Sequence, residues 1–331
     1  TIGKGGMLSA YIDGEKGKSS LFNVSTVKFA AGSKISATIS SLKNAAGEYV
    51  ILKSDKKITG APKFDTSNIE LPYIFAGSVT LKEKELVLKI RRKAAKELGL
   101  VRSSAEAYDA VISTSLNNSN FSGSVLEIKN KANLQKHIDQ MLPDHAGGIF
   151  DFATRGSRIA ARHVMDASSI YNVSEVGAWL EPIFWKSGKD ASDTTSFDTD
   201  GYGISTGLER WTKLGYVGFS YSYLNGKVKN NGGSGKIETS QHELGAHWRI
   251  ESGPFYAFAR LSGAYVTLAS SRAFAGSVQS KKYSAAATAN WHGWLYSGTA
   301  GASYDFELGN RISLRPKVIV DYYQLREKGY A

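Results

Sequence analysis

The sequence predicts an all-β fold class in which a helical segment lies between two strand-rich regions. Three observations support this prediction: a bias toward glycine and aromatic residues, apolar side chains that alternate along short segments, and one stretch with helical periodicity. The 331 residues include 34 Gly, 17 Tyr, 14 Phe and 6 Trp but only 6 Pro. This composition suits pleated strands and tight turns better than helix packing. The length allows two or three domains.

The first 100 residues consist of short strand-like segments separated by turn residues, such as MLSAYIDG and GEYVILKSD. In VTLKEKELVLKI, Val79 and Leu81 precede a Lys-Glu turn, and Leu86, Leu88 and Ile90 follow it. This pattern predicts a β-hairpin within a meander. No catalytic arrangement is present, and the charged positions are most simply solvated strand faces.

The next segment, up to residue 170, has helical periodicity. Ser103 and Glu106 have the spacing of a capping box and are predicted to open a helix over SSAEAYDAVISTSL. A second helix is predicted from Val125 to Leu142, ending before Pro143, and a third from Ile149 to Met165. The arginines of the third helix are Arg155, Arg158 and Arg162.

Seven strand-like segments follow, at residues 176–185, 201–211, 214–227, 238–251, 254–270, 284–306 and 311–326. Their side chains alternate strictly between two faces. In the third segment Val217, Phe219, Tyr221 and Tyr223 alternate with Gly218, Ser220 and Ser222. One face is apolar or aromatic and the other is small, polar or charged. A membrane barrel and a soluble sandwich can both produce this pattern.

Connection lengths separate these two architectures. Long connections such as KSGKDASDTTSFDTD, NGKVKNNGGSGKIE and SSRAFAGSVQSKK alternate with the short ones WTKL, ESGP and ELGN. Outer-membrane barrels have short turns on one side and long loops on the other, whereas Greek-key sandwiches return over a distance. The sequence therefore predicts an antiparallel transmembrane β-barrel with its apolar face toward lipid and a wet lumen.

Composition excludes several other classes of protein. There is no cysteine, so disulfides, thiolate metal sites and cysteine nucleophiles are absent. The net charge is +11, but Lys and Arg are spread over strand ends and loops, so nucleic acid is not an expected partner. No run of 18 apolar residues predicts a transmembrane helix.

Motifs that resemble catalytic or binding sites have simpler explanations. GISTG, from Gly203 to Gly207, matches a nucleophile elbow but lies inside a strand with no helix after it. GGSGK, from Gly232 to Lys236, lacks the spacing of a phosphate-binding loop. The six histidines show no metal-ligand spacing. We expect no catalytic residue, cofactor or metal.

Several charged residues fall on the predicted lumen face. A charge facing lipid at the middle of the membrane would cost about 2 to 4 kcal/mol, so these side chains are expected to point inward. The simplest role is to hydrate and stiffen the lumen, and we hypothesise that they also hold the helix that carries the three arginines. The lumen candidates are Glu181, Glu209, Glu243, Arg249 and Arg260.

The order of these parts resembles an autotransporter of type V secretion. The segment ELPYIFAGSVTLKEKELVLKIRRKAAKELGL resembles the last, autochaperone-like turn of a β-solenoid passenger. LPDHAGGIFDFATRGSRIAARH is similar to the linker before the barrel, and DTDGYGISTGLERWTKLGYVGFSYSYLNGKV to its second and third strands. The resemblance divides the chain into a passenger end at 1–100, a helical linker at 101–170 and a barrel region at 171–331.

The resemblance implies a twelve-stranded outer-membrane barrel, with the linker helix threaded through it, that assists delivery of the passenger to the cell surface. The implied partners are outer-membrane lipid, the barrel-assembly machinery, periplasmic chaperones and the chain's own passenger. Only about seven strands are present, and seven strands cannot close in lipid, so we expect a partial barrel. Asn117 and Asn118 are similar to a family cleavage site but precede the first barrel strand by nearly 60 residues.

Two alternatives remain open from the sequence. A stand-alone porin or adhesin barrel would lack the solenoid-like first hundred residues. A soluble β-rich hydrolase or carbohydrate-binding protein would need paired carboxylates in a cleft and would be soluble without detergent. We expect a non-enzymatic chain in the bacterial outer membrane, with its N-terminal region at the cell surface.

Overall fold

A computed structural model describes residues 1–65, 70–142, 147–167, 175–230, 234–309 and 312–329. Strands predominate, and the α-helices lie between residues 102 and 165. The C-terminal part is a seven-stranded antiparallel sheet. These features confirm the predicted fold class of a strand-rich N-terminal region, a helical middle and an antiparallel C-terminal sheet.

The chain divides into two compact units. Unit 1 consists of Thr1–Pro143, Ser192–Thr194 and Ala273–Ala285. Unit 2 consists of Asp144–Ala191, Thr195–Arg272 and Ala286–Ala331. The predicted helical segment at 101–170 is therefore shared between the two units.

Unit 1 contains two four-stranded sheets. The strands are β1 (Met7–Asp13), β2 (Lys18–Ser19), β3 (Phe22–Val24), β4 (Lys34–Ile39), β5 (Gly47–Ser54), β6 (Lys63–Phe64), β7 (Phe75–Leu81) and β8 (Glu85–Arg92). One sheet has the order β2-β1-β4-β6, in which β1, β4 and β6 are parallel neighbours, as in a coiled solenoid. The other has the order β3-β5-β8-β7 and contains the predicted β7–β8 hairpin, in which Leu81 pairs with Leu86.

The described residues of unit 1 also form a short 3-10 helix (Ala95–Glu97) and three α-helices: α1 (Arg102–Ser115), α2 (Ser119–Leu126) and α3 (Lys131–Met141). The predicted capping box is wrong, because α1 begins after Val101 without a side-chain cap, and Ser103 lies within its first turn. The helix predicted from Val125 to Leu142 is instead two helices. Asn118 and Asn130 accept backbone hydrogen bonds at the starts of α2 and α3, and this local capping interrupts the helical pattern. The predicted stop at Pro143 lies outside the described residues.

The strands and helices of unit 1 share one hydrophobic core. Ile35 and Ile51 from the sheets and Leu88 from the hairpin are fully buried. They belong to the same cluster as Tyr108 of α1 and Ile138 of α3. The strands and the helices of unit 1 are therefore packed around a single core.

Unit 2 is built on a sheet of seven antiparallel strands. They are β9 (Val176–Lys189), β10 (Phe197–Thr212), β11 (Gly215–Asn230), β12 (Ser234–Ser252), β13 (Phe255–Val278), β14 (Lys281–Tyr304) and β17 (Lys317–Glu327), and β15 (Phe306–Glu307) pairs with β16 (Ser313–Leu314) beside them. The sheet order is β17-β14-β13-β12-β11-β10-β9, so sequential neighbours pair. Among the described residues, β9 and β17 are the edge strands.

Two of the three predicted long connections are mostly strand. SSRAFAGSVQSKK belongs almost entirely to β13 and β14, which are joined by the two residues Gln279 and Ser280. β11 extends to Asn230 and β12 begins at Ser234, and the intervening residues, which include part of GGSGK, lie outside the described range. Small and polar residues at these strand ends still satisfy ladder hydrogen bonds, but without apolar alternation they did not resemble strands.

Two helices belong to unit 2: α4 (Gly148–Ala160) and α5 (Arg162–Met165). Together they replace the single helix predicted from Ile149 to Met165, with an interruption at Ala161. No helix in the described part of the chain is both long enough and apolar enough to cross a membrane.

Candidate functional site

The unit 2 sheet has an exposed apolar face. Leu180, Phe184, Leu208, Phe219 and Leu244 project from four strands, and each is between 64% and 75% exposed. A globular protein in water rarely leaves so many large apolar side chains exposed on one face. We call this the outer face, and the opposite face, which packs against α4, the inner face.

Helix α4 packs into an apolar cluster on the inner face. Phe152 of α4 is fully buried, and the centroid of its ring lies 5.1 Å from that of Trp185 on β9. The cluster also includes Leu224 of β11, Val266 of β13 and Leu295 of β14. The inner face around α4 is therefore well packed with apolar side chains, in addition to the small, polar and charged ones expected from the sequence.

Glycines on the inner face make room for the large rings. A Cβ atom at Gly201 would overlap the indole of Trp185, and one at Gly207 would overlap the indole of Trp179. Both glycines lie on β10 with ordinary strand backbone. The glycine-rich face predicted from the sequence thus serves ring packing rather than an empty channel.

Two charged pairs are buried on the inner face. Arg249 of β12 donates to the Glu209 carboxylate, with its Nε 2.9 Å from Oε2 and its Nη2 bonded to Oε1. The Nε2 of His247 lies 3.2 Å from the same Oε2. Farther along the sheet, Arg260 Nη2 donates to Glu243 Oε1 at 2.6 Å. All these charged side chains are at most 7% exposed, so each charge is paired where water cannot solvate it.

Polar contacts hold α4 to both edge strands of the sheet. The Asp151 carboxylate accepts hydrogen bonds from Ser187 on β9, at 2.7 Å, and from Thr199 on β10, at 3.3 Å. Two turns later Arg158 pairs with Asp321 on β17. Because β9 and β17 are opposite edges of the sheet, the sheet curls around the helix.

The end of the helical segment is fixed by side chains from several strands. The His163 ring stacks on Trp179, with centroids 4.2 Å apart, and its Nδ1 lies 3.1 Å from Glu181 Oε1. Tyr256 donates to the carbonyl oxygen of Val164, and Arg249 Nη1 lies 3.4 Å from the carbonyl oxygen of His163. The buried pair of Glu209 and Arg249 thus also contacts the backbone of α5.

The residues predicted from the sequence fall into separate groups. Glu209 contacts Arg249, Glu243 contacts Arg260, and Glu181 contacts His163. Arg155 pairs with Asp151 one turn earlier in α4, and Arg158 pairs with Asp321. Arg162 is exposed, and no ion pair is formed by it within the described ranges. Of the three helical arginines, Arg158 thus pairs with a carboxylate of the sheet, and Arg155 with one of its own helix.

Sequence reasoning missed Asp151, His163 and Asp321. The two aspartates lie between apolar neighbours, where a charged residue is unexpected: Asp151 is flanked by Phe150 and Phe152, and Asp321 by Val320 and Tyr322. A charge on the apolar side of an amphipathic helix or inside an apolar strand indicates a buried partner. That partner could not be identified before the strands were placed around the helix.

Motifs that resembled catalytic sites have structural roles here. Ser205 of GISTG is buried in β10 and accepts a hydrogen bond from Ser222 at 3.0 Å. Asn118, part of the Asn-Asn pair, caps helix α2. In the residues that the structure describes, no cluster of three or more His, Asp or Glu side chains could hold a metal ion.

Comparison with known proteins bears on the sheet that surrounds α4. Residues 178–331 match the family model described as Autotransporter beta-domain. The match begins in β9 and extends through all the later strands. No curated protein matches the chain.

Proposed function

We propose that the chain is a translocator unit that assists export of its passenger to the cell surface, because residues 178–331 match the family model of the autotransporter β-domain. This match implies the bacterial outer membrane, a translocator barrel without catalytic function and an associated passenger. Export itself and the position of the N-terminal region at the cell surface are parts of the proposal.

The observation that carries the proposal is the seven-stranded sheet curled around helix α4. The apolar outer face suits lipid, and the inner face gives every buried charge a partner. The helix contacts strands from one sheet edge to the other, through Ser187 and Asp321. A helix of about 10 to 12 Å diameter matches the interior of a barrel of this class.

We propose that the chain contains a passenger end at 1–100, a linker at 101–170 and a barrel region at 171–331. Helices α4 and α5 would be the part of the linker inside the barrel. The proposed partners are outer-membrane lipid, the barrel-assembly machinery, periplasmic chaperones and the passenger.

The predicted inner-face residues have a proposed part in holding the linker. Glu209 orients Arg249, whose guanidinium reaches the backbone of His163, and Glu181 contacts the ring of the same histidine. Glu243 and Arg260 stiffen the neighbouring strands as a buried pair. Arg155 and Arg158 act from the helix side, through Asp151 and Asp321, and Arg162 remains available to solvent.

The direct test uses the full-length gene in a Gram-negative host. Membranes are fractionated, external protease is added to intact cells, and both halves of the chain are probed separately. Digestion of residues 1 to about 100, with protection of the segment after Val176 in the outer membrane, supports the proposal.

Two results would contradict it. A chain that is soluble in both halves would favour the soluble β-rich alternative. An N-terminal half protected in the periplasm of intact cells, but digested after the outer membrane is opened, would show a barrel that does not export it.

A further inference from the structure

The turn of the β13–β14 hairpin belongs to the β-domain by its sequence and to unit 1 by its contacts. Its residues lie within the segment that matches the β-domain family. In the folded chain, however, Ala273–Ala285 belongs to unit 1, together with the helices α1 to α3. We call Ala273–Ala285 the hairpin tip. Both strands are 24 residues long, well beyond the 9 to 11 or so that a membrane-crossing strand needs.

An aromatic cluster joins the hairpin tip to the helices. Phe274 is only 6% exposed. Its ring makes edge contacts with Phe121 of α2, at a centroid distance of 4.6 Å, and with His137 of α3, at 5.1 Å. Tyr283, from the other strand of the hairpin, lies 6.0 Å from Phe121. Without the hairpin tip, these helical rings would lose their apolar partners.

Side chains from the helices also bind the backbone of the hairpin tip. Glu127 accepts a hydrogen bond from the Ser280 amide at 2.8 Å and another from the Ser277 hydroxyl. Gln140 accepts from the Ala275 amide at 2.9 Å. Gln279 and Ser280 form the turn with φ values of 49° and 61°, a left-handed conformation that usually selects glycine or asparagine. The Glu127 carboxylate therefore stabilises a turn whose two residues, Gln279 and Ser280, do not favour the left-handed conformation.

Two glycines allow the backbones of α2 and the hairpin tip to approach closely. A Cβ added at Gly123 of α2 would lie 2.7 Å from Cγ1 of Val278. One added at Gly276 of β13 would lie 2.8 Å from Cβ of Ser124. Both neighbouring atoms lie close to the backbone, in the short side chains of Val278 and Ser124, and cannot swing away. Neither glycine can therefore be replaced by alanine without separating α2 from the hairpin tip.

We propose that the hairpin tip is a docking surface on which helices α2 and α3 fold. Aromatic packing, the Glu127 and Gln140 contacts and the two glycines all act across the same interface. The β-domain sequence would thus supply a structural part of the region that it exports. Only the cellular location of this docking, at the cell surface, rests on the proposed function.

The test uses the purified full chain in detergent, so it does not depend on export. Four variants are compared with the wild type by limited proteolysis, with cleavage sites mapped by mass spectrometry: Gly123→Ala, Gly276→Ala, Phe274→Ala and Gly263→Ala. Gly263 is the matched control, since it lies in the same strand β13 and a Cβ there meets nothing within 4 Å.

Docking predicts that the first three variants are cleaved within residues 102–141 about tenfold faster than the wild type, and that Gly263→Ala is cleaved at the wild-type rate. Gly123→Ala is the most informative variant, because alanine stabilises an isolated helix more than glycine does. If α2 were not docked on the hairpin tip, this substitution would slow its cleavage. Unchanged or slower cleavage of Gly123→Ala and Gly276→Ala would overturn the proposal.

A second measurement, also on the full chain, follows the folding of unit 2 separately. Folded and heat-unfolded β-domain are separated by their electrophoretic mobility in detergent, and the three docking variants are expected to keep the folded mobility. Loss of that mobility in Gly276→Ala or Phe274→Ala would mean that these residues serve assembly of the sheet, and this result would also overturn the docking role.

Discussion

The guanidinium of Arg249 donates two hydrogen bonds to the carboxylate of Glu209, and both side chains are buried on the inner face of the sheet. The two residues lie on β12 and β10, on either side of β11. The pair therefore ties three consecutive strands together and also contacts the backbone of His163.

Removing one member of this pair should destabilise unit 2 strongly. Glu209→Ala leaves the Arg249 cation buried without its carboxylate, which costs about 3 to 5 kcal/mol. Replacing both partners, as Glu209→Leu with Arg249→Met, should recover most of the loss, because no buried charge remains. The midpoint of urea-induced loss of folded mobility measures both effects. A double variant no more stable than Glu209→Ala would contradict this reasoning.

Helix α4 offers a matched pair of phenylalanines for testing its packing. Phe152→Ala removes a fully buried ring and should cost about 3 to 5 kcal/mol. Phe150→Ala, two residues away and 46% exposed, should cost less than about 1 kcal/mol. Urea unfolding of the purified chain, followed by tryptophan fluorescence, measures both changes. Equal losses would indicate that α4 is not held by its buried face.

The outer face should tolerate charge poorly if it meets lipid. Leu244→Arg places a cation on the exposed apolar face of β12, at a cost of about 2 to 4 kcal/mol near the middle of a bilayer. Leu308→Arg is the control, since Leu308 is 63% exposed but lies in the turn between β15 and β16. The amount of folded protein in isolated outer membranes measures the effect. Equal yields of the two variants would argue against a lipid-facing β12.

Unit 1 should lose stability in mild acid through His137. Burial lowers the pKa of His137 from 6.5 to about 4, so the unfolded chain takes up this proton first. Stability is complete above pH 6.5 and falls as the pH drops toward 4, by up to about 3 kcal/mol. His137 lines a cavity whose other titratable residues are Glu127, Lys136, Lys282 and Tyr283.

The check is proteolysis of unit 1 in increasing urea, at pH 7 and at pH 4.5. His137→Gln removes the titrating group, and its stability should depend less on pH than that of the wild type. If the wild type and His137→Gln lose the same stability between these two pH values, other groups are responsible and the prediction fails.

Local patterns in the sequence were sufficient for much of the architecture. Alternation with a period of two predicted the seven strands and their two faces, because successive side chains of any strand point to opposite sides. The β7–β8 hairpin was predicted for the same reason. The ends of elements were less accurate: α1 begins one residue before Ser103, and β13 runs to Val278 through residues without apolar alternation.

The sequence by itself determined the strand-rich class, the helical middle, the resemblance to an autotransporter and the likeness of the last half to a membrane barrel. These depend on neighbours along the chain. Only the tertiary structure decided that Arg249 pairs with Glu209, that Asp321 meets Arg158, and that Glu127 binds the turn at Ser280. Those partners are 40, 163 and 153 residues apart, and no local periodicity carries information about which distant side chain will fill a given buried space.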